Sequence, residues 1–479
     1  MPFTSLNFLF FFLLFAPIFL SAPVKYRLYV LLAGNYFFYI CAKPVFAVFL
    51  VVITLCTFYF ARLIAKTISD RGKKTALYTG ITIILLPLIF FKYAGELNNF
   101  LLAFLHAKNI SWPFPEMKLL LPVGISFYSF MAIGYIIDVY NEEIDAENDF
   151  LVIASFLSFF PLLLSGPIER AKNMLPQFKK PQSPGYDMIA GGMKFILWGC
   201  FMKLVIADRI GIYVDTVYQG TAYHNGNTLL LTSFLYPFQV YADLGGYSLI
   251  AIGTASVLGF RVMQNFNRPF LAVSMADLWR RWHISLITWL TDYVYTPLTF
   301  ALRKYKLRGI LLALMITFLL SGLWHGAKIT FMAWGLMQGL YLCFEALTNK
   351  QRTQFEKRFR LEKRWWYLLL RILTVFVLFM ASQIVGRADN LKESLVIFRK
   401  IFTERGPLFI GDGPSLLIYI FFGLLVLLFK DFTEEFMPEK LKLFNNKRKF
   451  VRIMVYSTLV ILILLAGVFD GGQFIYFKF

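Results

Sequence analysis

Apolar runs close to the thickness of a bilayer recur along the whole chain, and no other feature restricts the fold so strongly. They lie near residues 3–20, 28–42, 45–64, 76–92, 119–138, 150–165, 188–206, 228–241, 246–258, 285–301, 309–323, 329–347, 366–386, 414–430 and 451–469. A helix needs about 20 apolar residues to cross the hydrocarbon core, and its backbone polar groups must pair internally there. Several runs fall short of that length. The expectation is an all-α polytopic membrane protein with about 11–13 transmembrane and re-entrant helices.

Composition agrees. Of 479 residues, 16% are charged and 58% hydrophobic, with 54 Phe. Soluble proteins average about 25% charged residues, so this chain cannot cover soluble cores with polar surface. A disordered chain, a collagen and a disulfide scaffold are excluded as well. The 48 Lys and Arg outnumber the 28 Asp and Glu, giving a net charge of +20. In a soluble protein that excess would raise nucleic-acid binding. Here it collects in short loops between apolar runs, as topology signals do, and the expected partner is membrane lipid rather than nucleic acid. Cys41, Cys56, Cys200 and Cys343 are scattered through apolar stretches without CxxC spacing. They read as small hydrophobes, and no metal site is expected.

No basic residue precedes the first run; Lys25 and Arg27 follow it. That pattern predicts a first helix with its N-terminus outside, not a cleaved signal peptide. Basic clusters occur at Arg62–Lys74, Arg303–Arg308, Lys350–Arg364 and Lys440–Lys449. Placing all of them in the cytoplasm puts the C-terminus outside. The middle resists this alternation. An acidic loop (Glu142, Glu143, Asp145, Glu147, Asp149) and a basic stretch from Arg170 to Lys180 flank the 150–165 run. Both can lie inside only if that run does not cross. No internal repeat or soluble appendage is visible, so residues 1–479 read as one integral domain.

The chain has four histidines. His325 lies in Ser321-Gly322-Leu323-Trp324-His325-Gly326-Ala327-Lys328, between two apolar runs. Gly322 and Gly326 remove bulk beside it, leaving room for a substrate or for another helix. An ionisable group at membrane depth is a functional-site candidate; the alternative is a hydrogen bond to a neighbouring helix. His283 lies in Asp277-Leu278-Trp279-Arg280-Arg281-Trp282-His283-Ile284-Ser285-Leu286. On a helix, Trp279, Trp282, Leu286 and Trp289 would form one apolar stripe, with Arg280 beside His283. This predicts an interfacial or re-entrant helix. Its arginines either meet an anionic group, such as the phosphates of a thioester carrier, or snorkel to lipid headgroups. Asp277 and Arg281 are also spaced to pair with each other. Asp243 reads as a lone carboxylate that orients a histidine or arginine, or serves as a structural acceptor. His106 and His224 read as solvated loop residues. No Gly-rich phosphate loop, HExxH or GxSxG elbow occurs.

Several of these segments resemble the membrane-bound O-acyltransferase family, and in particular its bacterial branch for alginate O-acetylation. The resemblance rests on Asn265-Phe266-Asn267-Arg268-Pro269-Phe270 and the Asp277–Leu286 segment. Gly322-Leu323-Trp324-His325-Gly326-Ala327, Pro122-Val123-Gly124-Ile125-Ser126-Phe127, Ser165-Gly166-Pro167-Ile168-Glu169-Arg170 and the C-terminal Phe474–Phe479 support it. Ser248-Leu249 departs from it, since the family usually carries Asp after the Ser.

The resemblance implies a ring of helices around a central acyl-transfer funnel or tunnel. It makes His325 the family's membrane histidine and His283 the second histidine of the active centre. The implied reaction is acetyl transfer for O-acetylation of an exported, alginate-like polysaccharide in the cell inner membrane. The donor would be acetyl-CoA or a carrier-protein thioester, with no bound cofactor, and a periplasmic or surface acetyltransferase partner would act with it. A histidine titrating near neutrality suits a general base, the role expected of His325. His283, with Arg280, Arg281, Trp279 and Trp282, would hold the donor or steady the oxyanion, supported by Asp243 and Trp324. D-alanyl or other acyl transfer to a cell-wall polymer is the near alternative. A transporter for a lipid-linked sugar or acyl group is the distant one; it would favour repeated halves and tolerate His325→Gln.

Overall fold

The computed structural model describes residues 1–41, 43–117, 119–180, 183–411, 413–438, 444 and 446–469, and among them are helices and loops but no strand. The Phe474–Phe479 segment, Lys440 and Lys442 lie outside the described residues. Seven helical stretches are long and apolar enough to cross a membrane: Pro44–Lys66, Asp70–His106, Tyr186–Gln219, Leu307–His325, Trp365–Arg387, Ser415–Phe436 and Lys449–Ala466. Leu6–Ser21 and Ile125–Tyr140 are shorter apolar helices. This is a multi-pass membrane protein. The chain divides into two compact units, Met1–Ile196 with Ala251–Met263, and Leu197–Ile250 with Gln264–Phe479.

The first unit contains α1 (Leu6–Ser21), α2 (Val24–Ile40), α3 (Ala47–Lys66), α4 (Asp70–His106), α5 (Ile125–Tyr140), α6 (Phe150–Ser158), α7 (Phe160–Leu163), α8 (Ala171–Lys179) and most of α9 (Tyr186–Cys200). Helix α1 starts at Ser5, whose hydroxyl accepts the Phe8 N–H and so satisfies one orphan donor of the first turn. It buries Phe8, Phe12, Phe15 and Phe19 while Leu6, Phe10 and Leu14 stay exposed. A helix apolar on every face needs an apolar solvent. Inside, the Phe160 ring packs on Phe11, Phe15 and Phe38 at 5.3, 5.6 and 5.3 Å.

The 150–165 run is broken at Phe159, which separates α6 from α7. The break would orphan the Phe160 N–H, and Asn35 Oδ1 accepts it at 3.1 Å while Asn35 Nδ2 donates to Ser158 Oγ at 3.3 Å. Helix α6 has nine residues, a rise of roughly 13 Å, so it does not cross alone. Lys179 pairs with Glu147 at 2.7 Å. The acidic loop and the basic stretch therefore meet on one side, which removes the conflict in the charge pattern. An open groove of about 850 Å³ between α1 and α2 is lined by apolar side chains such as Phe10, Phe15 and Phe37, and holds no histidine or carboxylate.

The second unit takes the end of α9, a π-helical stretch Phe201–Ala207, α10 (Asp208–Gln219), most of α11 (Gly226–Val257), α12 (Met275–Arg281), α13 (Ile284–Leu290), α14 (Thr296–Ala301), α15 (Leu307–His325), α16 (Ile329–Arg358), α17 (Trp365–Arg387), α18 (Leu391–Thr403), α19 (Ser415–Phe436) and α20 (Lys449–Ala466). The apolar runs at 228–241 and 246–258 belong to one continuous helix, α11. Helices α15 and α16 meet at backbone distance. A Cβ on Gly322 would overlap the Phe331 carbonyl, and one on Gly335 the Phe318 carbonyl. Small residues permit such close crossings in membranes. The space left by Gly326 is taken by the Phe331 ring. Of the two uses left open for these glycines, helix packing is the one observed.

Candidate active site

The Asp277–Leu286 segment does not form one helix. Helix α12 is capped by Ser274, whose hydroxyl accepts the Asp277 N–H at 3.1 Å, and by Glu345 of α16, which accepts Met275 N–H at 2.8 Å. It ends at Arg281; Trp282 is extended and His283 left-handed, with φ 45°. The cause is tertiary. Asn267 N–H donates to the Arg281 carbonyl and Ile284 N–H to the Asn265 carbonyl, both at 2.8 Å. These bonds replace the helical ladder across the break. Trp279, Trp282, Leu286 and Trp289 are all buried as the stripe required, but on two helices. Trp282 packs on Phe379 at 4.9 Å, and Trp279 on Trp334 at 5.9 Å.

The two arginines part company. Arg281 holds Asp277 at 3.2 Å and Glu435 at 3.0 Å, and Arg268 joins Glu435 at 3.0 Å. The Asp277–Arg281 pairing suggested by spacing is thus present. Arg280 is exposed, whereas His283 is buried, so the two do not share a helix face as expected. Among the described residues Arg280 makes no ion pair.

His283 is 3% exposed and its Nδ1 lies 3.2 Å from Asn265 Oδ1. Burial pushes the imidazole down to about 4, so it is neutral at physiological pH. His325 is the last residue of α15 and is half-buried. Its ring lies edge-on to Trp334 at 5.1 Å and contacts Trp324 at 4.9 Å. The Trp324 ring is also 6.0 Å from His283. The two histidines, distant in sequence, thus share one indole neighbour. Trp279 and Trp334 are buried, and among the described residues the Nε1–H of each has no acceptor. An indole N–H can only donate. Of the two, Trp334 is the ring that lies against His325.

Asp243 is not a lone carboxylate. Buried Lys203 holds it at 2.6 Å and Asp208 at 2.7 Å, so a lysine is among its partners. Lys203 sits in the π-helical stretch and was missed in sequence. The available signal was a single Lys inside the apolar 188–206 run. His106 ends α4 and is exposed, while half-buried His224 packs its ring on Phe409 at 4.8 Å rather than facing solvent fully. The aromatic contact explains that difference.

Membrane-crossing helices, with a pair of histidines set among buried indoles, define an integral membrane protein. Residues 139–386, which include both histidines, match the model of the membrane-bound O-acyltransferase family, and the chain belongs to that family. It is an O-acyltransferase. The chain is 33% identical over 411 residues to a probable alginate O-acetylase AlgI of Azotobacter vinelandii, covering 84% of this chain and 78% of that one. It is 33% identical over 420 residues to a probable alginate O-acetylase AlgI of Pseudomonas aeruginosa, covering 84% and 75%. Against the peptidoglycan O-acetyltransferase of Helicobacter pylori it is 32% identical over 334 residues, covering 64% and 61%.

Proposed function

We propose that this O-acyltransferase moves an acetyl group from a cytoplasmic thioester toward an exported, alginate-like polysaccharide, with His325 as the general base. The observation that carries this reading is the placement of His325 and His283 against one indole, Trp324, inside the stretch that matches the family. In the reaction the acceptor hydroxyl oxygen attacks the thioester carbonyl. A C–O bond forms, the C–S bond breaks, and the hydroxyl proton passes to His325 and then to the leaving thiolate. The developing oxyanion needs N–H donors in a dry site; the unpartnered indoles of Trp279 and Trp334 are suited to supply them. Arg281 is committed to Asp277 and Glu435, so exposed Arg280 is the better candidate for phosphates of acetyl-CoA or a carrier protein. Asp243, held by Lys203, supports the helices rather than a histidine.

In this reading residues 1–479 work as one acyltransferase domain of the cell inner membrane, a ring of helices around an acyl-transfer funnel. A periplasmic or surface partner receives the acetyl group or delivers it to sugar hydroxyls. The AlgI-type relatives favour a polysaccharide acceptor, and the peptidoglycan O-acetyltransferase keeps a cell-wall polymer as the second choice. The deciding experiment measures polysaccharide-bound O-acetyl in cells lacking the protein, complemented at matched membrane levels with wild type, His325→Ala or His283→Ala. Restoration by wild type and not by His325→Ala supports the assignment. Full restoration by both variants would leave a transporter or scaffold as the better reading.

A further inference from the structure

We propose that Asn265 is a positioning residue that locks His283 as its Nδ1–H tautomer, leaving Nε2 as a lone-pair nitrogen that accepts a hydrogen bond or proton from substrate. The inference deepens the acyl-transfer reading of the site and rests on it.

The geometry leaves little choice of tautomer. Asn265 is 4% exposed, and its Oδ1 accepts the Ser285 backbone N–H at 3.2 Å and the Ser285 hydroxyl at 2.9 Å. A backbone N–H only donates, so the amide end facing it is the oxygen, not the nitrogen. That same oxygen lies 3.2 Å from His283 Nδ1. An amide oxygen cannot donate, so the proton of this bond sits on Nδ1. In a neutral imidazole the other nitrogen then carries the lone pair. The amide is itself held in place, because the Asn265 carbonyl takes the Ile284 N–H at 2.8 Å across the helix break. Break and tautomer therefore have one origin, the pairing of the Asn265–Asn267 segment with residues 281–284.

The surrounding charges do not disturb this arrangement. On α12, Asp277 and Arg281 are paired with each other, Glu435 of α19 takes Arg281 and Arg268, and Arg280 is exposed. Glu345 of α16 is engaged at the start of α12, and His325 of α15 is reached across Trp324. Burial is the largest influence on the His283 ring and lowers it. A neutral ring with Nδ1–H spent on Asn265 has no donor left for an oxyanion. Of the two roles expected for His283, holding the acyl donor or steadying the oxyanion, this tautomer disfavours the second; Nε2 can instead accept from an N–H or O–H of a substrate.

The test uses the full-length protein in lipid nanodiscs, labelled with ¹⁵N-histidine. The His283 resonances are assigned as those absent from His283→Gln. Wild type should show a protonated Nδ1 and an unprotonated Nε2 at pH 7. Asn265→Ala should shift the ring toward Nε2–H and lower kcat for acyl transfer by about 10–100-fold, by analogy with the loss of the hydrogen-bond partner that orients a metal-bound histidine. Asn265→Asp keeps the shape and gives the ring a carboxylate. It should retain the Nδ1–H signature and move the acid limb of kcat/KM upward by about one to three pH units. An Nε2–H signature in wild type would overturn the proposal. So would variants that lose activity with tautomer and acid limb unchanged, since a merely structural asparagine would behave that way. The tautomer is read without turnover, so it can fail while the acyl-transfer assignment stands. Full acyl transfer by His283→Gln would instead sink the catalytic reading of the ring.

Discussion

The two units of the molecule spend their buried polar groups differently. In the first, a layer of phenylalanines around Phe160 does the packing, and Asn35 repairs the backbone where α6 breaks. Its one histidine, His106, is exposed. The second buries the Lys203–Asp208–Asp243 cluster and His283, and half-buries His325. Among the described residues it also leaves the indole N–H groups of Trp279 and Trp334 without acceptors. Ionisable groups are costly at membrane depth, and unpaired donors are costly in any dry interior. The first unit buries ionisable groups too, among them Arg27, Glu147 and Glu169, so what sets the second apart is a pair of histidines set against indoles.

Breaking this contrast should be easiest at His325. His325→Ala should lower acyl transfer by about 10²–10⁴-fold, the range for a positioned base, with the thermal midpoint in detergent unchanged; a loss that tracks unfolding would refute the division. Next is Lys203→Met, which removes the cation held between two buried carboxylates and should cost about 3–5 kcal/mol, read as a fall in thermal midpoint. Adding Asp243→Asn should recover part of that fall, because one of the two buried negative charges is removed. In the first unit, Asn35→Ala leaves the Phe160 N–H without its acceptor, while the Ser158 hydroxyl keeps the Ala154 carbonyl, and should cost about 1–3 kcal/mol, with kcat for intact protein unaltered. A drop in kcat there would show that the first unit also takes part in the reaction.

The smallest effect sharpens the comparison through pH. Burial alone would raise Glu147, but Lys179 and the backbone N–H groups of Asp149 and Asn148 hold it below its ordinary value of 4.5. A carboxylate with a lowered folded value stabilises above the unfolded value, and that contribution disappears as pH falls through the folded one. Lys179 is half exposed, so Lys179→Met should cost no more than about 1 kcal/mol at pH 7. The difference from wild type should vanish in acid. A difference that persists at pH 3 would mean the lysine acts through packing of its aliphatic stem.

How much of the site was legible can be judged from three residues. His325 and His283 stood out because a histidine in an apolar context is rare and local in its signal. The break at Trp282–His283 did not, since Trp279, Trp282, Leu286 and Trp289 keep helical spacing on both sides of it. It arises from bonds to Asn265 and Asn267, which no periodicity records. Lys203 was passed over because its meaning depends on Asp208 and Asp243, one of them on another helix.

Hydrophobicity adds up residue by residue along a chain, so the sequence alone determined a polytopic helical membrane protein and marked the segments that carry its histidines. Pairing does not add up in that way. Which side the 150–165 run returns to, whether Gly322 faces a ligand or α16, and which nitrogen of His283 keeps its proton each depend on a partner distant in sequence. Those were decided by the tertiary structure, because inside a membrane every buried donor and acceptor must find its partner in space.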